Sequence, residues 1–192
     1  LTGRHSSCAR VTQNRLILNH ARAAIRAAGY EGYKVVQLAA SDVAFINTAS
    51  EVTADLLRRL GFTVDYQLSD WPTLVQRRAK KDPPDRGGWN LFSNSTGGID
   101  QTTPMTHNYL FSNGMDGVPG WPTSARIEEL RMRWLGEADA SERRRVAEEI
   151  QRQAFRDVPY IPLGQYLSPT AHRRDLAGVM GGYPVFWNLR FE

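Results

Sequence analysis

The feature that most constrains the fold is a regular alternation of helix-like and strand-like segments over residues 20–93. Helical periodicity covers residues 20–29, 46–61 and 69–81, and β-branched or alternating segments cover residues 33–40, 62–68 and 89–93. Alternation of this kind is typical of parallel strands joined by right-handed helical crossovers. We therefore predict an α/β fold with a mainly parallel or mixed sheet flanked by helices.

The ends of these helices have recognisable signals. Gly29 and Gly61 follow the first two helical segments, as expected for glycine C-caps. Ser69 or Asp70 can cap the third helix, because Pro72 is tolerated in a first turn.

In an open parallel sheet, ligands bind beyond the carboxyl ends of the strands. Here that rule indicates residues 39–42, 68–71 and 93–100. The candidate ligand-binding residues are Trp71, Ser93, Asn94, Ser95 and Asp100.

Residues 94–122 are rich in Gly, Pro, Asn and Thr, and we call them the excursion. So long a connection is usually functional or disordered, and its aromatic and Met residues favour an ordered binding surface. Asp100 could pair with a ligand amine, or it could form an Asx-turn or face solvent. Trp71 and Trp121 could be surfaces on which a ligand stacks, or they could belong to the core. For Trp89 the core is favoured, because this residue begins a strand segment.

Two further helices are predicted after the excursion. Thr123 or Ser124 can cap the first, whose buried face comprises Ile127, Leu130, Trp134 and Leu135. Residues 139–142 have the spacing of a capping box, and the second helix has Val146, Ile150 and Ala154 at four-residue intervals.

Two prolines interrupt the segment that follows. Pro159 must end the helix, and Val158 before it is expected to be extended. Residues 160–167 read as a strand or sheet edge containing Pro162, and residues 176–192 as an aromatic extended tail.

Composition limits the possible functions. The chain is 41% hydrophobic and 23% charged with a net charge of +4, and it has one cysteine and no apolar run of membrane-spanning length. The run Arg143–Arg145 precedes Glu148 and Glu149, which favours a solvated helix face over a nucleic-acid patch.

The sequence contains no catalytic constellation. Its four histidines lack metal-ligand spacing, and no nucleophile elbow or phosphate-binding loop is present. His5 and Cys8 lie close together but in a segment without pattern. We expect no enzyme activity, no metal and no cofactor.

Several motifs, in order, resemble the C-terminal part of bacterial ABC-importer solute-binding proteins of the peptide/nickel type, also called family five. They are "LGFTVDYQLSDW", "GGWNLF" with "GGID", "GWPTSARIEELRMRW", "AFRDVPYIPLGQY" and "FWNL". The resemblance spans residues 20–192. It implies one lobe of a type II periplasmic-binding-protein fold that closes on a solute without catalysis. In peptide-binding relatives an Asp at the place of Asp100 binds the peptide amino group. An aromatic commonly precedes it, where this chain has Ser95 and Thr96.

The resemblance also implies an organisation and a location. We expect an irregular tail over residues 1–19, a second-lobe domain over 20–175 and a returning segment, 176–192, that packs on a first lobe. Such proteins are periplasmic and deliver peptides or other small solutes to ABC permease subunits. The start at Leu1, without Met or a signal peptide, suggests N-terminal truncation. The alternatives are a basic nucleic-acid-binding α/β module, motivated by a pI of about 9.5, and a hydrolase using His107 or His172.

Overall fold

The computed structural model describes the backbone of residues 5–181 and 185–192, and side chains from residue 16 onward within those ranges. The chain divides into two compact units, Leu1–Ser95 and Thr96–Glu192. The boundary falls inside the domain predicted over 20–175. The chain divides there because the described residues form two separate apolar clusters, one in each unit.

The first unit has the predicted alternation. Its elements are α1 (His5–Ala27), β1 (Lys34–Ala40), α2 (Ala44–Leu60), β2 (Thr63–Ser69), α3 (Trp71–Arg78), a 3-10 turn (Pro84–Arg86) and β3 (Leu91–Phe92). The strands form a sheet in the order β2-β1-β3, and both pairings are parallel. Because β1 is the central strand, all of its residues after Lys34 are buried. The predicted α/β class with a parallel sheet is confirmed.

The predicted helix ends also agree with the structure. Gly61 ends α2 in the left-handed region at φ 103°, a conformation that favours glycine. Asp70 is the residue that caps α3, since its Oδ1 accepts a hydrogen bond from Thr73 N at 2.9 Å. Pro72 lies in the first turn, where a missing N–H costs nothing.

The first helix is much longer than the sequence pattern indicates. It begins at His5, whereas the pattern predicts an irregular tail over residues 1–19 and a helix only from residue 20. Residues 5–28 contain neither Gly nor Pro, so nothing interrupts helical hydrogen bonding before Gly29. The side chains of His5 and Cys8 lie outside the described residues, as do residues 1–4.

The second unit begins with residues 96–122 of the excursion, which fold into short turns. It contains 3-10 turns at Gly98–Gln101, Asn108–Leu110 and Gly114–Asp116, followed by α4 (Ala125–Gly136), α5 (Ala140–Asp157) and the antiparallel pair β4 (Leu176–Ala177) and β5 (Arg190–Phe191). Its buried cluster comprises Leu110, Leu130, Val146 and Ile150. The excursion therefore contributes Leu110 to the same core as the two helices.

The caps of α4 and α5 are formed by the predicted side chains. Ser124 Oγ accepts from Ile127 N at 3.2 Å, and Asp139 Oδ1 accepts from Ser141 N and Glu142 N, both at 2.9 Å. The capping box is incomplete because Asp139 N donates to Glu137 instead.

The predicted burial of Leu135 on α4 is wrong. Leu135 is 53% exposed, whereas Ile127 and Leu130 are buried and Trp134 packs against the core. Leu135 lies about 100° around the helix from Trp134, so it turns away from the face that α4 buries.

The segment after α5 also differs from the prediction. The helix ends before Pro159 as expected, but Val158 is left-handed, with φ 48° and ψ 56°, rather than extended. In that conformation Val158 N donates to Ala154 O at 2.9 Å and completes the helix end. Residues 161–173 form no strand, because Pro162 lacks a donor and no neighbouring strand pairs with them in the described parts of the chain.

We expect Val158→Gly to stabilise the protein by about 1 kcal/mol, because a β-branched residue is strained at positive φ and glycine is not. Urea denaturation followed by circular dichroism measures the change. Ile161→Gly is the control, since Ile161 is exposed and is not among the described positive-φ residues. Equal or lower stability of Val158→Gly would show that the left-handed cap is unstrained.

The C-terminal tail exposes large apolar side chains. Phe186 is 72% exposed and Trp187 88% exposed. Of the tail predicted over residues 176–192, residues 182–184 lie outside the described residues. The predicted packing of this tail on a first lobe stays a prediction. Among the described helices, none has both the length and the apolar character needed to cross a bilayer.

Candidate ligand-binding site

In the first unit, the segments that follow β1 and β2 meet at the carboxyl edge of the sheet. Ser41 N donates to Ser69 O at 2.8 Å, and Trp71 N donates to Asp42 Oδ1 at 2.8 Å. These bonds fix the two segments to each other, as the parallel topology predicts. Ser93 follows directly from β3, whose Phe92 is in register with Leu38 of β1.

Trp71 is held in this edge by packing. It lies against the apolar cluster of the unit, and the Arg78 guanidinium lies over its ring at 5.6 Å and over the Phe92 ring at the same distance. One face of the indole is therefore already occupied by a cation. Trp89 packs on the same cluster and meets Phe92 edge-to-face at 5.0 Å, which confirms its predicted core role.

The residues after β3 leave the sheet in a short polar segment. Ser93 is only 7% exposed, so little of its hydroxyl surface is open to a ligand. Asn94 Oδ1 accepts a hydrogen bond from Ser95 N at 2.9 Å, which fixes the direction of the chain there. Asn94 and Ser95 are half-buried.

Asp100 lies in the second unit, on the 3-10 turn Gly98–Gln101, and is exposed. Its amide donates to Gly97 O at 3.0 Å, and its Oδ2 accepts from Thr96 Oγ1 at 3.4 Å. Within the described residues its carboxylate has no ion-pair partner. This arrangement is a turn tied to a hydroxyl rather than an Asx-turn, and it leaves acceptor capacity open to a ligand ammonium group.

The predicted site residues therefore form two groups. Trp71 and Ser93–Ser95 belong to the first unit, and Asp100 belongs to the second. The contacts given above for each group lie within its own unit. That the two groups bind one ligand stays a prediction.

The sequence pattern does not reveal a histidine–tyrosine pair in the second unit. His107 Nε2 and Tyr160 Oη are 3.0 Å apart, and the ring of Tyr109 lies 5.5 Å from that of Tyr160. His107 Nδ1 is buried without a hydrogen-bond partner in the described residues. Burial lowers the pKa of His107 and raises the pKa of Tyr160. Because 53 residues separate the pair, one sequence offers no signal for it.

This pair predicts a dependence of stability on pH. The folded-state pKa of His107 is below its ordinary 6.5, so the unfolded chain takes up a proton more readily. The stabilising contribution is present above pH 6.5 and declines as the pH falls below it toward the folded-state pKa. We expect the free energy of unfolding to fall between pH 7.5 and 5.5.

Urea denaturation across that range measures the effect. His107→Gln should flatten the profile, whereas His172→Gln, at an exposed histidine, should leave the wild-type slope intact. A profile that is the same for wild type and His107→Gln would contradict the prediction.

The chain is similar in sequence to a bacterial transport protein. No family model matches it. It is 36% identical over 171 residues to the probable peptide ABC transporter periplasmic-binding protein y4tO of Sinorhizobium fredii (strain NBRC 101917 / NGR234). The alignment covers 88% of this chain and 32% of the relative. The chain thus spans about a third of the length of the relative that it matches.

Solved structures of binding proteins share the fold. The ABC transporter-associated periplasmic binding protein DppA from Helicobacter pylori, in complex with the peptide STSA, matches 74% of this chain and 27% of its own, with a TM-score of 0.60 and 19% identity. A dipeptide binding protein from Pseudoalteromonas sp. SM9913, in complex with Met-Leu, matches 85% of this chain and 33% of its own, with a TM-score of 0.57 and 18% identity. The predicted resemblance is confirmed: the chain is homologous to part of an ABC-importer periplasmic-binding protein and has the type II fold of that class.

Proposed function

We propose that this chain is part of a periplasmic substrate-binding protein that captures a peptide-like solute and delivers it to the permease subunits of an ABC importer. The observation that carries the proposal is the 36% identity to a probable peptide-binding component of such a transporter. The proposed role is non-catalytic, needs no cofactor and involves only peripheral association with the membrane transporter.

The geometry of the candidate site supports a peptide-like ligand. Asp100 has an exposed carboxylate without an ion-pair partner in the described residues, which suits the ammonium group of a peptide. Asn94, Ser95 and Trp71 would supply polar and aromatic surface at the sheet edge. Binding proteins of two lobes close because the ligand stabilises the closed state. A chain with about a third of the relative's length is therefore expected to bind peptides weakly by itself.

NMR titration tests this proposal at the residue level. Tri- and tetrapeptides added at millimolar concentration should shift the amide resonances of Asp100 and Ser95. N-acetylated peptides, which lack the ammonium group, should shift them much less. Asp100→Asn should abolish the difference between the two peptides, because the neutral amide no longer attracts a cation.

Asp116→Asn is the matched control, since Asp116 also lies on a 3-10 turn of the excursion. It should respond like wild type. The proposal would be contradicted if free and acetylated peptides gave the same shifts in wild type. Tight, stoichiometric binding in calorimetry would contradict the expected weakness of the isolated chain.

The second candidate is a nucleic-acid-binding module, which the basic composition motivates. The arginines on α4 and α5 are partly paired, however: Arg145 contacts Glu142 at 3.0 Å, and Arg126 contacts Glu149 at 3.1 Å. Arg143 lies over the Trp134 ring at 5.2 Å. Pairing lowers the positive potential of this face, so we expect no filter retention of DNA or RNA even at low salt. Retention that falls steeply with salt would favour the alternative.

A further inference from the structure

A buried arginine joins α4 to the excursion. Arg131 is 2% exposed, although it lies on a helix whose other arginines reach solvent. Its Nη1 donates to Glu128 Oε2 at 2.6 Å and its Nε donates to Pro104 O at 3.0 Å. Its guanidinium also lies 3.9 Å from the centre of the Phe111 ring. A buried guanidinium is costly unless its donors are satisfied, and here Glu128 of the same helix and the Pro104 carbonyl of the excursion accept its hydrogen bonds.

The partner carboxylate holds a second point of the excursion. Glu128 Oε1 accepts a hydrogen bond from Ser112 N at 2.7 Å. The Asn113 side-chain amide, with its nitrogen turned toward Glu128, lies 3.2 Å and 3.1 Å from the two carboxylate oxygens. One ion pair on α4 therefore fixes the excursion at Pro104 and again at residues 111–113.

Hydrogen-bonded turns connect Pro104 to Asp100. Thr102 N donates to Ile99 O at 3.3 Å, Thr106 N donates to Thr103 O at 3.2 Å and His107 N donates to Thr103 O at 3.0 Å. The first of these turns ends at Thr102, and the second, which begins at Thr103, contains Pro104. The two turns follow each other directly along the chain, so the hydrogen bond to Pro104 holds the chain two residues after the turn that presents the Asp100 carboxylate.

We propose that the Arg131–Glu128 pair is a positioning device that holds the Asp100 turn in its ligand-accepting place. The part of this inference that concerns ligands rests on the proposed function. Neither residue needs to touch the ligand. Arginine suits this role because its planar fork bonds a carboxylate and a carbonyl in one geometry, which a lysine ammonium on a flexible stem does not.

Two variants separate positioning from simple loss of folding. Arg131→Lys keeps the charge and the aliphatic stem but loses the fork. The double variant Arg131→Met with Glu128→Gln removes both charges, so that none is left buried and unpaired. Arg126→Lys is the matched control, because Arg126 makes exposed ion pairs on the same helix.

The first readout is amide hydrogen exchange measured by NMR, normalised to the core amides of α4 and α5. We expect the amides of Asp100, Thr102 and His107 to exchange at least tenfold faster in both Arg131 variants and unchanged in Arg126→Lys. Exchange that rises only in proportion to that of the core amides, or not at all, would overturn the proposal.

The second readout is the peptide titration. In both Arg131 variants, the difference between free and acetylated peptides at Asp100 should fall at least threefold. If the variants exchange faster but still show the wild-type difference between free and acetylated peptides, the positioning role is overturned. If wild type itself shows no peptide response, the proposed function fails, and hydrogen exchange alone still decides whether the pair holds the turn.

Discussion

Leu130→Ala should lower the free energy of unfolding of the Thr96–Glu192 unit by about 3 kcal/mol, because it removes a buried side chain from a packed core and leaves a cavity. Leu130 is 1% exposed and packs with Leu110, Val146 and Ile150. Its loss would therefore weaken the contact of α4 with both α5 and the excursion. The effect on the first unit should be small, since Leu130 is absent from the apolar cluster of that unit.

Hydrogen exchange with mass spectrometry distinguishes the two units. Peptides from α4 and α5 should lose protection in Leu130→Ala, whereas peptides from β1 and β2 should keep it. Met132→Ala is the control on the same helix, because Met132 is 57% exposed, and it should change stability by less than about 0.5 kcal/mol. Equal loss of protection in both units would show that they unfold together rather than separately.

The first unit could be predicted largely from local sequence signals. Glycine stops, a capping Asp70 and β-branched runs each act over a few residues, and the structure follows them in α2, β2 and α3. The segment after α5 could not be predicted in this way. A strand over residues 160–167 would need a neighbouring strand to pair with, and a local pattern cannot show whether one is present. Val158 adopts a left-handed conformation because it ends a helix there.

The candidate site shows the same limit. From the parallel topology we correctly predicted that residues 39–42 and 68–71 lie together, because all strands of a parallel sheet have their carboxyl ends at the same edge. The i,i+3 spacing of Glu128 and Arg131 allows an ion pair on α4, but nothing in the sequence showed that the excursion covers this pair or that His107 meets Tyr160. Each depends on the path of the irregular excursion, which brings distant backbone and ring atoms to α4 and to the segment after α5.

Gly88→Ala should destabilise the first unit by about 3 kcal/mol, because its methyl group has no room. A Cβ at this position would lie 1.8 Å from Asp82 O and 2.8 Å from Pro83 O. Both are backbone atoms, so no rotamer change can relieve the clash. Gly88 N also donates to Pro83 O at 3.0 Å, and the turn must open to admit the methyl group. The second glycine of "GGWNLF" is thus explained by close backbone approach.

Thermal and urea denaturation measure this effect, with Gly98→Ala as the control. A Cβ on Gly98 would meet no atom within 4 Å, and its φ is not positive, so its replacement should change stability by less than about 0.5 kcal/mol. In Gly88→Ala we also expect NMR shifts at Trp89 and at Ser93–Ser95, because the displaced turn leads directly into β3. Wild-type stability in Gly88→Ala would mean that the turn before β3 is free to open, and Gly88 would then have no part in placing the polar segment at the sheet edge.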